Sequence, residues 1–132
     1  MNGILFGIGL VAAGLAGAIH VYIFALESLL WSRPSTWRVF GLKSQADAET
    51  TRPLAYNQGF YNLFLALGVF AGLLILAADL SAGVALILGA TVSMVLAALV
   101  LVTSSPKLAR SAAIQGALPL IAVVLIGLSF LG

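Results

Sequence analysis

Four long apolar stretches divide the chain: Gly3 to Trp31, Asn57 to Ala78, Ala82 to Thr103, and Ser111 to Leu131. Each is close to or above the ~20 residues that carry an α-helix across ~30 Å of hydrocarbon. The second and third are parted only by Asp79-Leu80-Ser81, which predicts a tight hairpin with Asp79 at the interface. Joining them into one span would strand Asp79 inside a very long helix, so four spans are preferred. Ser104-Ser105-Pro106-Lys107 reads as a helix stop followed by basic residues. The expected fold is all-α: a four-transmembrane-helix bundle, one membrane domain over residues 1–132. The first stretch lacks a basic n-region and is far longer than a signal-peptide core, so it is expected to be a retained span.

The long connection, Ser32 to Tyr56, holds most of the polar residues. Ser44 precedes Asp47 by three, the spacing of a helix cap, and predicts a short surface helix over 44–51 that ends before Pro53. Trp31, Trp37 and Phe40 suit the membrane–water boundary. Small residues predict where helices approach closely: Ala85, Gly89, Ser93 and Ala97 in the third span, Ala13 with Gly17 and Gly14 with Ala18 in the first, and Gly68 with Gly72 in the second. These stripes fit a neighbour in the same chain or in a second copy, so a homo-oligomer is an open possibility.

Composition removes the soluble alternative. Apolar residues make up 62% of the 132 and charged residues only 8%, against roughly 25% charged in a soluble domain. No cysteine is present, which excludes disulfides and thiolate metal sites. All six Lys and Arg lie in the first and third connections. The positive-inside rule therefore predicts that these connections face the cytoplasm and both termini the opposite side. Scattered over short membrane-flanking loops, the basic residues offer no nucleic-acid surface. The expected partner is the lipid bilayer.

Candidate chemistry lies in the cytoplasmic half. His20 and Glu27 are seven apart, on one face of an α-helix, and an ionisable group in a span needs a partner or a wet cavity. Asn57-Gln58-Gly59-Phe60-Tyr61-Asn62 opens the second span, with Gln58, Tyr61 and Asn62 able to point inward together. At ~1.5 Å per residue, Glu27 lies about 6 Å in from Trp31, Tyr61 about 6 Å in from Asn57, and Gln115 about 7 Å in from Arg110. The expected arrangement is a cytoplasm-facing cavity with Glu27, Trp31, Asn57, Gln58, Tyr61, Asn62 and Gln115 about its mouth and His20, roughly 16 Å deep, at its floor. The plainer reading stays open beside it. Glu27 is then interfacial and pairs with Arg33 or Arg52, His20 bonds a neighbouring helix, and the amides are helix glue.

His20 to Glu27 and Trp31, the Asn57 to Leu65 segment, Arg38-Val39-Phe40-Gly41-Leu42, and Gln115-Gly116 with Pro119 together resemble the DUF1304 family of small bacterial four-span membrane proteins. The resemblance runs over essentially the whole chain. It implies membership, a four-span topology and a bacterial inner membrane, but no activity.

Three functions are open. The first is a pocket for a small lipophilic or amphipathic ligand, with a polar head at the cytoplasmic level and apolar walls below. The second is acid–base catalysis by His20 and Glu27, with Tyr61 or an Asn amide stabilising negative charge, on an isomerisable, epoxide or lipid substrate. About 10 Å along the axis separates the two groups, too far to share one proton. The third is a small proton-coupled transporter or channel, against which the absence of inverted repeats counts. A haem on His20, opposed by Tyr61 or Asn62, is a minor variant. His20 and Glu27 alone give too few ligands for a metal.

Overall fold

A computed structural model describes all residues, Met1–Gly132. Helix α1 (Gly3–Phe24) runs into a π-helical turn (Ala25–Leu29), followed by the short α2 (Pro34–Trp37). Three long helices follow: α3 (Gln45–Ile75), α4 (Leu80–Ser104) and, after a 3₁₀ turn at Pro106–Leu108, α5 (Ala109–Ser129). The N-terminal N–H groups that a helix cannot satisfy are met by short polar side chains. Asn2 Oδ1 accepts from the Ile4 and Leu5 amides at 3.1 and 3.2 Å, Ser44 Oγ from Asp47 at 3.1 Å, and Asp79 Oδ1 from Ala82 at 2.9 Å. Four helices are long and apolar enough to cross a membrane.

One boundary differs from expectation. No separate surface helix spans 44–51: Gln45 continues unbroken through Pro53 to Ile75. A proline inside a helix removes the N–H owed to the carbonyl four residues back and crowds it. Here that carbonyl belongs to Glu49, in an exposed stretch where water can satisfy it, so the helix survives. At 31 residues α3 is about 46 Å long and outreaches ~30 Å of hydrocarbon.

The long helices form a four-sided ring. Neighbours are α1 with α3, α3 with α4, α4 with α5, and α5 with α1, while α1 and α4 lie across the diagonal. A backbone bond from the Asn2 amide to the Ser129 carbonyl, 2.8 Å, ties the first helix to the last. The core is built mostly from small or branched side chains, with one methionine: Ala12, Ala13 and Ala16 from α1, Val69 from α3, Ile87 and Met94 from α4, and Ile126 from α5. Without a hydrophobic drive in lipid, such close packing is what holds helices together. Gly9 lies on Ile126, Gly17 on the Phe70 ring, and Gly72 on Ile87 and the Gly83 carbonyl. Of the expected α4 stripe, Ala85, Gly89 and Ser93 instead face outward, while Ala97 borders the space between the helices at the basic end. Ile87, Ala90, Thr91 and Met94 take the inner face.

Beyond the ring, at the end that carries both basic connections (the basic end), lies a second small core of Trp31, Trp37, Ala48 and Ala55, with Phe40 and Leu42 against it. Trp31 Nε1 donates to the Ala48 carbonyl and Trp37 Nε1 to Gln45 Oε1, both at 3.0 Å. Gln45 Nε2 in turn donates to the Ser32 carbonyl at 3.0 Å. The two tryptophans pin the long connection onto the overhanging start of α3.

Candidate functional site

The π turn is where the site begins. The Leu30 amide reaches back five residues to the Ala25 carbonyl, at 3.0 Å, and Glu27 sits in the middle of this widened turn. Such turns rotate a side chain out of the α-helical phase and recur at functional positions. Glu27 is buried, and its Oε2 accepts from Asn62 Nδ2 at 3.2 Å. The same Nδ2 also donates to the Gln58 carbonyl, which orients the amide along α3.

Gly59 permits this meeting. A Cβ there would collide with Ser28 Oγ and come within 3.1 Å of Glu27 Cβ, so only glycine lets α3 lie this close to the π turn. Ser28 Oγ then donates to the Tyr56 carbonyl at 2.8 Å, locking the two backbones together. Phe60 packs edge-on against Phe24, with ring centroids 5.1 Å apart. The Asn-Gln-Gly-Phe-Tyr-Asn segment thus works as one unit: Gly59 gives the approach, Phe60 the packing, Asn62 the partner for Glu27.

Next to this unit lies a cavity of about 960 Å³ at the basic end, bounded by all four long helices. Glu27, Gln58, Tyr61, Asn62 and Gln115 all line it. The long connection covers it through Arg33, Ser35, Thr36, Val39 and Phe40. Apolar walls come from Ile19 and Ile23 of α1, Leu65 of α3, and Val100 and Leu101 of α4. Gln115 is placed by two further features. Gly116 lets α5 approach Ala98 of α4, and Pro119, having no N–H, leaves the Gln115 carbonyl without its partner four residues on.

A smaller, more open groove of about 400 Å³ lies on the other side of Glu27, between the π turn, Leu42 and the first half of α3. Trp31 and Asn57 line this groove and not the main cavity, whereas Glu27 and Gln58 border both. Glu27 therefore forms part of the partition between them.

His20 lies elsewhere. Its ring is almost wholly buried, 1% exposed, and Nδ1 donates to the Ala16 carbonyl of its own helix at 2.9 Å. A carbonyl can only accept, so Nδ1 carries the proton. Ile19 and Ile23 take the cavity wall that His20 was expected to floor. His20 falls one residue further round, on the packed face with Ala13, Ala16 and Gly17. Glu27 bonds Asn62 and His20 bonds Ala16, so the two do not meet as an acid–base pair. A haem held between His20 and Tyr61 or Asn62 does not fit either, because His20 is outside the cavity those residues line.

Glu27 forms no ion pair with Arg33 or Arg52. Arg52 reaches Glu49 instead, at 3.9 Å, and that pair is half-exposed and worth little. Arg33 lines the cavity without an acidic partner. Sequence reasoning missed Thr36, Ser111 and Ala97 as cavity residues. Ser111 was within reach, since it lies four before Gln115 and so on the same helical face. Thr36 carries no such signal, because its place depends on how the connection folds back.

No curated protein and no solved structure matches the chain. One family does, described as a protein of unknown function, DUF1304, and the match covers residues 14–127. Those residues include α1 from Gly14 onward, the π turn, the covering connection and every side chain placed on the cavity wall, and on that extent the chain belongs to the DUF1304 family.

Proposed function

We propose that this membrane protein binds a small amphipathic molecule within the bilayer, in the cavity at its basic end. The carrying observation is the Glu27–Asn62 pair on the wall of a cavity of about 960 Å³. Ligand pockets are roughly 300–1,000 Å³, mostly apolar, with a few placed polar groups. This cavity has that composition: Glu27, Asn62 and Gln115 mark where a head would rest, and the Ile19, Ile23 and Leu65 walls where a tail would lie. The positive-inside rule turns the cavity toward the cytoplasm, in keeping with a bacterial inner-membrane location.

Binding is favoured over acid–base chemistry by His20 and Glu27 because His20 is turned onto its own helix and does not line the cavity that Glu27 faces. The test is mass spectrometry of what co-purifies with the full chain in mild detergent. Wild type is expected to retain one amphiphile class at near-stoichiometric amounts. Ala97→Phe, which fills the cavity from α4, is expected to lower it by about tenfold, the effect of losing roughly 1.4 kcal/mol. Identical lipid profiles for both proteins would overturn the proposal.

A further inference from the structure

We infer that the cavity selects an amphiphile whose head carries both a primary ammonium and an anionic group, the ammonium held by Glu27 and the anion by Arg33. This deepens the ligand-pocket proposal and rests on it.

Among 23 lining residues there is one acid, Glu27, and one base, Arg33. Neither is matched within the chain. Glu27 has one side-chain donor, the Asn62 amide at 3.2 Å, whereas a carboxylate offers about four acceptor positions. A buried carboxylate without a cation is costly in a membrane. The nearby cations are committed elsewhere or free of it: Arg52 pairs with Glu49, and Arg38 lies over the Trp37 ring with its guanidinium 5.2 Å from the centroid. Arg33 stands at the covering connection with no carboxylate of its own.

A ligand of one charge satisfies only half of this lining. A net anion leaves Glu27 unmatched and brings like charge toward it; a simple cation leaves Arg33 unmatched. A head with an ammonium and an anionic group meets both, and charge complementarity of this kind sets specificity more than raw affinity. The ammonium must be able to donate. A quaternary ammonium has no N–H for a carboxylate oxygen, so a choline-type head is the weaker ligand. Aminophospholipids of the bilayer and single-chain amphiphiles with the same head share the required chemistry.

The test is native mass spectrometry of the full chain in detergent, titrated with phosphatidylethanolamine, lysophosphatidylethanolamine, phosphatidylcholine, phosphatidylglycerol or dodecylamine. Phosphatidylethanolamine is expected to bind about tenfold more tightly than either other phospholipid, the effect of one charge-assisted hydrogen bond. Glu27→Gln is expected to erase that preference and dodecylamine binding with it. Arg33→Gln, an exposed position, is expected to weaken phosphatidylethanolamine and leave dodecylamine unchanged. Stronger retention of lysophosphatidylethanolamine than of the two-chain lipid assigns the same head to a single-chain source. Phosphatidylglycerol binding as tightly as phosphatidylethanolamine overturns the inference, as does an unaltered affinity for phosphatidylethanolamine in Arg33→Gln. Binding that ignores the head but is abolished by Ala97→Phe overturns the head assignment and leaves the pocket standing. Absence of binding by every amphiphile overturns both.

Discussion

At the scale of single residues, a few glycines decide how close the helices come. Gly59 sits where any Cβ meets Ser28, and Gly89 has nothing within 4 Å. Gly59→Ala is therefore expected to lower stability by about 1–3 kcal/mol through overpacking. Gly89→Ala, in an open helix interior, is expected to raise it by up to about 1 kcal/mol. Thermal unfolding of the two variants in the same detergent checks the opposite signs. Trp31→Phe deletes the bond to the Ala48 carbonyl and is expected to cost about 1 kcal/mol, read as easier proteolysis of the covering connection.

The same scale shows what a sequence can carry. Glu27, Gln58, Tyr61, Asn62 and Gln115 were legible because polar side chains in apolar spans are rare and their depths follow from a fixed rise per residue. Their convergence on one cavity follows from antiparallel helices. His20 was misplaced for a physical reason. Seven residues return to the same face only while the helix keeps 3.6 residues per turn, and the π turn over 25–29 breaks that phase just before Glu27. Nothing in Ala-Leu-Glu-Ser-Leu announces such a turn; it is imposed by packing against Gly59 and by the Ser28 bond to Tyr56.

At the scale of elements, the spans were readable from hydrophobicity, but the start of α3 was not. A cap at Ser44 and a proline at 53 both mark helix boundaries in general, and here only the first does. The overhang of α3 has work to do in the structure: Ala48 and Ala55 close the small core over Trp31 and Trp37. Spin labels introduced by Ala46→Cys and Phe64→Cys, in a chain with no native cysteine, test the continuity. Eighteen residues of unbroken helix separate these positions by about 27 Å between backbones. A narrow distribution near that distance is expected, and a broad, shorter one would indicate a hinge at Pro53.

At the scale of the molecule, two connections with every basic residue lie at one end of the ring, and the Asp79 turn lies at the other. Single-cysteine labelling in intact cells reads the orientation. Ser81→Cys is expected to react with a membrane-impermeant maleimide from outside. Lys107→Cys is expected to react only after the cells are opened. The reverse pattern would place the cavity on the outer face and remove cytoplasmic ligands from consideration.

The bond between Asn2 and Ser129 gives the ring a property that its linear order hides. Those two residues lie at the same end of the bundle as the Asp79 turn, and α1 already packs on α5 as a neighbour. The chain is thus one short linker away from being circular. Joining the termini and reopening the backbone at residues 79–81 would yield a permuted protein that starts with α4 and ends with α3. Every helix–helix interface would be retained, only the covalent link between α3 and α4 being cut, and both basic connections would keep their side. Break points in exposed turns are the ones that tolerate such rearrangement. The cavity, built wholly at the opposite end, would not register the change.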